Sequence, residues 1–279
     1  MHINRPPMLR RLPGFTLIEL LVLGATIAIL AGMLLPAFSK TKTQTRGAVC
    51  LNNEAQLAHA WHLYAEDSNG VLVRTAALES LVSVVSPTKN YPLNQWCMGT
   101  MDRLNVATNQ QLIMDSLLYK FVGTLTAYKC PSDQSGWNNG AQKPYGGGQF
   151  PSLRSMSMNA WMNPINAWAQ DSQKVTSFRR ISSVLKPSAT FVTIDENPTS
   201  INDGWLICDP NSSSWTDLPA TYHNNGSSLS FADGHVEIKI WRDRAILGRV
   251  GTIGVAPKDG RVDLRWLSVR STYGLNGPP

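Results

Sequence analysis

Charge is scarce in this 279-residue chain: Asp, Glu, Lys and Arg make up 16% of it, against 43% hydrophobic residues. That balance excludes a disordered, self-repelling polymer and suffices for one anchor segment plus one domain with a real core. Lys and Arg nowhere form a dense stripe interleaved with aromatics, so no nucleic-acid partner is expected. There are only four cysteines (Cys50, Cys97, Cys130 and Cys208), and no two stand as CxxC, which excludes a zinc ribbon or a thioredoxin-type redox site. HExxH and nucleophile-elbow sequences are also missing, so the expectation is a protein that is not an enzyme. No internal repeat is present.

What the chain does have is concentrated at its start. A basic leader, MHINRPPMLRRLPG, is followed by FTLIELLVLGATIAILAGMLLPAF, 24 residues with Glu19 as the one charge. Removing residues 1–14 takes away Arg5, Arg10 and Arg11 and lowers the formal net charge from +6 to +3. As a helix rising about 1.5 Å per residue, the apolar run is long enough to span a hydrocarbon core. One reading is a secretory signal peptide cut near Ala37 and Ser39, for which the run is too long. Another is a plain signal anchor held by Arg10 and Arg11, which leaves the cost of Glu19 unexplained.

The third reading rests on Gly14, Phe15, Thr16, Leu17, Ile18 and Glu19, which closely resemble the start of type IV prepilins and type II secretion pseudopilins. Counted from Phe15, Glu19 is position 5 and Pro36 is position 22, where that family has its carboxylate and often a helix-bending proline. The resemblance implies cleavage between Gly14 and Phe15, N-methylation of Phe15, and a single-pass bacterial inner-membrane protein with a periplasmic C-terminal domain. It also implies three partners: prepilin peptidase, other pilin-like subunits contacted through the helix, and an inner-membrane assembly platform. Glu19 would then pair with the amine of Phe15 on a neighbouring subunit, because an unpaired carboxylate in an apolar interior is costly.

Beyond Phe38, apolar residues recur at helical spacing through Ala48, Leu51, Ala55, Ala58, Trp61, Tyr64 and Ala65, and Asp67–Gly70 ends the pattern with a turn signal. The expected organisation is a leader over 1–14, a transmembrane and amphipathic helix over 15–67, and a β-rich periplasmic domain over 68–279. The fold class is α+β, with a long pilin-type helix packed on an antiparallel β domain. Short β-branched runs predict strands at Ser80–Ser86 and Ala189–Ile194, and Gln134–Gly148 reads as a loop. SLSFADGHVEIKIW predicts a hairpin with a type I′ turn at Asp233-Gly234.

His223, nine residues, then Asp233-Gly234 resembles the H-X9-DG carboxy-terminal pattern of prepilin-type proteins, and CLNNEAQLAHAWHLYAEDSNG, YKCPSD and TIDENPTSINDGW resemble further segments of them. His223 and Asp233 could form a metal or catalytic pair, although a turn and a capping histidine account for them more simply. Asp195, Glu196, Asn197, Asn202 and Asp203 make an oxygen-rich loop. Of these, Asp195, Glu196, Asn202 and Asp203 are candidate Ca²⁺ ligands, against a plain solvated loop and no cofactor. Cys50 and Cys130 lie in family-like segments and could form a disulfide stapling helix to domain, or stay buried thiols. The nine tryptophans suit core packing more than a sugar-stacking surface. The expected function is that of a pilin-like subunit assembled through its helix. The alternative is a membrane-tethered periplasmic module that binds carbohydrate or protein and uses the prepilin signal only for sorting.

Overall fold

Thr16 starts the first helix. Its backbone N–H and hydroxyl both donate to Glu19 Oε2 at 2.9 Å, while the Glu19 N–H donates back to Thr16 Oγ1 at 3.3 Å. This is a capping box, in which residues three apart satisfy each other's free helix-end groups. The computed structural model describes residues 16–75, 95–138, 141–143, 146, 148–164, 175–247 and 254–273. The side chains of residues 34–40, 42, 142 and 143 fall outside that set, as do the leader, Phe15 and the strand expected at Ser80–Ser86. Helix α1 runs Leu17–Asp67, close to the expected 15–67, and the chain divides into units Met1–Lys42 and Thr43–Pro279.

In the first unit the apolar side chains of Leu17–Met33 are displayed rather than buried: the large ones lie between 50% and 78% exposed. The expected single-pass inner-membrane placement, and the periplasmic position derived from it, are overturned. Among the described residues no helix is long and apolar enough to cross a membrane. Glu19, Gly24, Thr26 and Gly32 interrupt the apolar side chains of Leu17–Met33.

In the second unit α1 presents a buried stripe of Cys50, Glu54, Leu57, Trp61 and Ala65, one residue every helical turn. The stripe differs from the expected one: Ala48 is exposed, and Asn53 and Glu54 are buried. A face counted from apolar residues alone misses polar side chains that find buried partners. The helix stops as expected, with Asn69 and Gly70 both at positive φ and the Gly70 N–H donating to Ala65 O.

Short helices α2 (Leu104–Ala107), α3 (Gln110–Met114) and α4 (Tyr119–Val122) follow. Strands β1 (Gly136–Asn138), β2 (Ala141–Lys143) and β3 (Phe150–Pro151) form a small sheet in the order β2-β1-β3, where a plain loop was expected. The main sheet contains β4 (Met156–Asn159), β5 (Phe191–Asp195), β6 (Trp205–Leu206), β7 (Gly226–Phe231) and β8 (Val236–Ile240), in the order β6-β4-β5-β7-β8. It is not purely antiparallel, since β4 and β6 pair in parallel. The mixed α+β class stands, with the N-terminal helix followed by a C-terminal sheet domain.

The main sheet has two different faces. One packs Met156 and Met158 into a core with Cys50, Leu57 and Trp61 of α1, and it carries the polar row Thr193, Asp195, Ser228 and Ser230. The other packs Phe191, Ile194, Leu229 and Phe231 against Trp215, Trp241 and helix α5 (Val262–Ser271). A bulge between Phe191 and Thr193 separates the two patterns on β5.

Candidate functional site

Four buried side chains from four separate parts of the chain meet beneath α1: Cys50, Cys130, Asp195 and His223. Their sulfur, carboxylate-oxygen and imidazole-nitrogen atoms all lie within 4.8 Å of one another. Cys50, Cys130 and Asp195 are fully buried, and His223 is 4% exposed.

Each residue is delivered by a local device. Cys50 occupies the sheet-facing stripe of α1. Cys130 sits on the turn after a 3-10 segment, Leu125–Tyr128, where the Ser155 hydroxyl accepts from its N–H at 2.8 Å. Asn53 of α1 clamps that segment by donating to Thr126 O and Lys129 O, both at 3.0 Å. Asp195 ends β5 on the face turned to α1. His223 stands at the base of a tight turn closed by reciprocal bonds: the His223 N–H donates to Gly226 O at 3.0 Å and the Gly226 N–H donates to His223 O at 3.1 Å. The two central residues, Asn224 and Asn225, have φ of 51° and 68°. Positive φ at both centres is the requirement of a type I′ turn, and asparagine tolerates it.

The type I′ geometry expected at Asp233-Gly234 is therefore found here instead. At the β7–β8 hairpin only Gly234 has positive φ, and its N–H donates to Phe231 O at 2.9 Å. That is a type I turn followed by a left-handed glycine, the usual three-residue loop.

Within the cluster the Cys50 thiol donates to Asp195 Oδ2 at 3.0 Å and lies 3.0 Å from Ser228 Oγ. The same oxygen accepts from the Ser228 hydroxyl at 2.7 Å and the Ser228 N–H at 3.3 Å. His223 Nε2 stands 3.3 Å from Cys130 Sγ and 3.5 Å from Asp195 Oδ2. Burial pushes the Cys50 thiol far above its ordinary value. Burial acts the same way on Cys130, but the Cys50 thiol and the His223 ring outweigh it and bring Cys130 below its ordinary value. For His223 burial favours the neutral ring, yet Asp195 and Cys130 prevail and push it up to about 9.

This is not the geometry of a Cys-His-Asp nucleophile. In such a triad the imidazole divides its two nitrogens between nucleophile and carboxylate. Here Cys130 and Asp195 both converge on Nε2, while His223 Nδ1 and Asp195 Oδ1 have no hydrogen-bond partner among the described residues. Convergence of two sulfurs, a nitrogen and a carboxylate oxygen on one point can hold a cation.

The residues singled out in the sequence are distributed otherwise. Cys50 and Cys130 are brought together as expected, but as free thiols and not as a disulfide. His223 and Asp233 do not pair: Asp233 bonds His235, whose Nδ1 is 2.5 Å from Oδ1. The proposed calcium ligands are drawn to different partners. Asp195 joins the thiols, while Glu196 accepts from Ser157 and Ser200. The N–H of Trp205 donates to Asp203, and the backbone oxygen of Asn202 accepts from Met101. The loop is buried, not solvated, since Glu196 and Asp203 are both fully enclosed. Seven of the eight described tryptophans are buried, the exception being Trp266, which is partly buried beneath Lys239 and Arg270.

Sequence reasoning named all four cluster residues but assigned them to three different sites. The missing signal was long-range pairing, with Cys50 and Asp195 145 positions apart and Cys130 and His223 93 apart. When the chain is compared with family models, with curated proteins and with solved structures, no family, protein or structure matches it.

Proposed function

We infer that the chain is a pilin-like structural subunit that associates with further copies of itself through the N-terminal part of α1. The observation that supports this reading is the display of ten large apolar side chains over Leu17–Met33, from Leu17 at 78% exposure to Leu23 at 50%. A helix apolar on all sides is stable when other helices cover it, and an exposed apolar surface of this extent marks an association site. The resemblance of Gly14–Glu19 to prepilins points the same way, since that family bundles its subunits through this helix.

Glu19 has a defined place in this reading. Its carboxylate is held below the usual range by hydrogen bonds from Thr16, first the backbone N–H and then the hydroxyl, so it is charged at the helix start. A neighbouring copy cut after Gly14 would offer the amine of Phe15 as a cationic partner for it.

Sedimentation of the full chain tests the reading. The unaltered protein is expected to form discrete oligomers, and a Leu23→Asp/Leu30→Asp variant to sediment as a monomer with an unchanged circular-dichroism spectrum. A parent chain that stays monomeric at micromolar concentration, cut or uncut, would count against it. Co-expression with a prepilin peptidase should shorten the chain to begin at Phe15 and leave Gly14→Val at full length.

A further inference from the structure

We propose that Cys50, Cys130, Asp195 and His223 form a closed, four-coordinate site for a divalent metal of zinc's chemistry, which fastens α1 to the sheet. The inference concerns the Thr43–Pro279 unit and is independent of the assembly reading.

The donor set fits. Zinc takes thiolate at about 2.3 Å, imidazole at about 2.0–2.1 Å and carboxylate at about 2.0–2.2 Å, so neighbouring ligand atoms of a tetrahedron stand roughly 3.4–3.8 Å apart. The measured separations are 3.0 Å for Cys50 Sγ to Asp195 Oδ2, 3.3 Å for Cys130 Sγ to His223 Nε2 and 3.5 Å for His223 Nε2 to Asp195 Oδ2. The two shortest of these contacts need to lengthen by about half an ångström or less, and no pair of ligand atoms starts more than 4.8 Å apart. Two sulfurs with a nitrogen disfavour Ca²⁺ and Mg²⁺, which take oxygen ligands. Two thiols are too few for an iron–sulfur cluster held by four cysteines. Complete burial leaves no position for substrate, which is the character of a structural site and not a catalytic one.

Two further observations point to a ligand. Asp195 Oδ1 is a buried polar atom without a hydrogen-bond partner among the described residues, on a carboxylate whose other oxygen faces a histidine nitrogen already shared by two partners. A shell of supporting bonds is also in place. Ser228 orients the Asp195 carboxylate through its hydroxyl and its N–H, and the Ser132 N–H donates to Cys130 Sγ at 3.4 Å, as outer groups do around metal ligands.

The test is metal analysis of the full chain, loaded with Zn²⁺ and dialysed. The expected content is one zinc per chain, with the melting temperature falling when EDTA removes it. Loading with Co²⁺ instead should give thiolate-to-cobalt charge-transfer absorption. Cys130→Ser and His223→Ala should lower the metal content at least tenfold, whereas Cys97→Ser, a buried thiol outside the cluster, should leave it unchanged. If the cluster variants fail to fold, the cobalt spectrum of the unaltered chain decides alone. A folded parent chain that retains no zinc and shows no thiolate–cobalt band would overturn the proposal. So would a Cys50–Cys130 disulfide in non-reducing mass spectrometry, or a folded Cys130→Ser that binds zinc as its parent does.

Discussion

Glu54 lies four residues beyond Cys50 on α1 and is fully buried, with the Thr193 hydroxyl donating to its Oε2. Burial, reinforced by the nearby Asp195, raises its acid well above the ordinary carboxylate range. A carboxyl that stays protonated is close in shape to an amide. Glu54→Gln should therefore change unfolding stability by less than about 1 kcal/mol, whereas Glu54→Ala removes the bond and leaves a void, at a cost of about 2–4 kcal/mol. Urea titration of the two variants checks this, and equal losses would contradict a protonated Glu54. Gly226 is constrained by close approach: an added Cβ would sit 2.8 Å from Lys239 O and 2.9 Å from Ile238 Cγ2. Gly226→Ala should push β8 away and cost about 1–3 kcal/mol in the same assay. Because His223 closes its turn onto Gly226, this variant should also loosen the imidazole.

At the scale of elements, one asparagine links α1 to the Cys130 turn. Asn53 is 5% exposed and satisfies two carbonyls of that segment. Asn53→Ala leaves both carbonyls and their surroundings short of a donor, so a loss of about 1–3 kcal/mol is expected. Cys130 should then react faster with a thiol-specific reagent than in the parent, because its segment has lost the tie to the helix. Elements of this kind were legible in part. The long helix, its Asn69-Gly70 stop and the β7–β8 hairpin follow from periodicity and turn residues, which are local. The type I′ turn was expected at Asp233-Gly234 and lies instead at Asn224-Asn225, because two asparagines at positive φ are a weaker signal than Asp-Gly. The buried face of α1 was read rightly at Ala58, Trp61 and Ala65 and missed Asn53 and Glu54, which count as exposed until their partners are known. The candidate site was legible as residues and illegible as a site: nothing local ties Cys50 to Asp195. The span of Leu17–Met33 was read as part of a longer membrane crossing, and its glycines, threonine and carboxylate were underweighted.

At the scale of the whole molecule, stability should depend on pH in a direction set by buried acids. Burial, with Asp217 adding to it, pushes Asp203 up to about 8 from an ordinary 3.8, although Arg154 and the Trp205 N–H oppose this. Burial also pushes Asp217 up to about 7 against the Ile207 N–H. Below about pH 4 both states bind these protons. As pH rises the unfolded chain releases them first, so stability falls until the folded acids titrate at about 7 to 8. Thermal unfolding should give a lower melting temperature at pH 8 than at pH 5. Asp217→Asn keeps an acceptor for Ile207 and should flatten that decline by on the order of 2 kcal/mol across the interval. An unchanged slope in the variant would show that Asp217 ionises normally in the fold.

The bulge on β5 governs more of the molecule than its single extra residue suggests. Side chains along a strand alternate between faces, so Phe191, Thr193 and Asp195 would all point one way in a regular strand. With the register shifted between Phe191 and Thr193, Phe191 joins Trp215 and Trp241, while Val192 and Thr193 both turn to α1. The strand is thus written in two frames, one reading into the tryptophan core and the other into the polar row that ends at Asp195. Ironing out the bulge with Val192 kept would merge the frames. Either the phenylalanine would be thrown among serines, or the carboxylate would be turned away from both thiols and pressed into the apolar layer beneath α5.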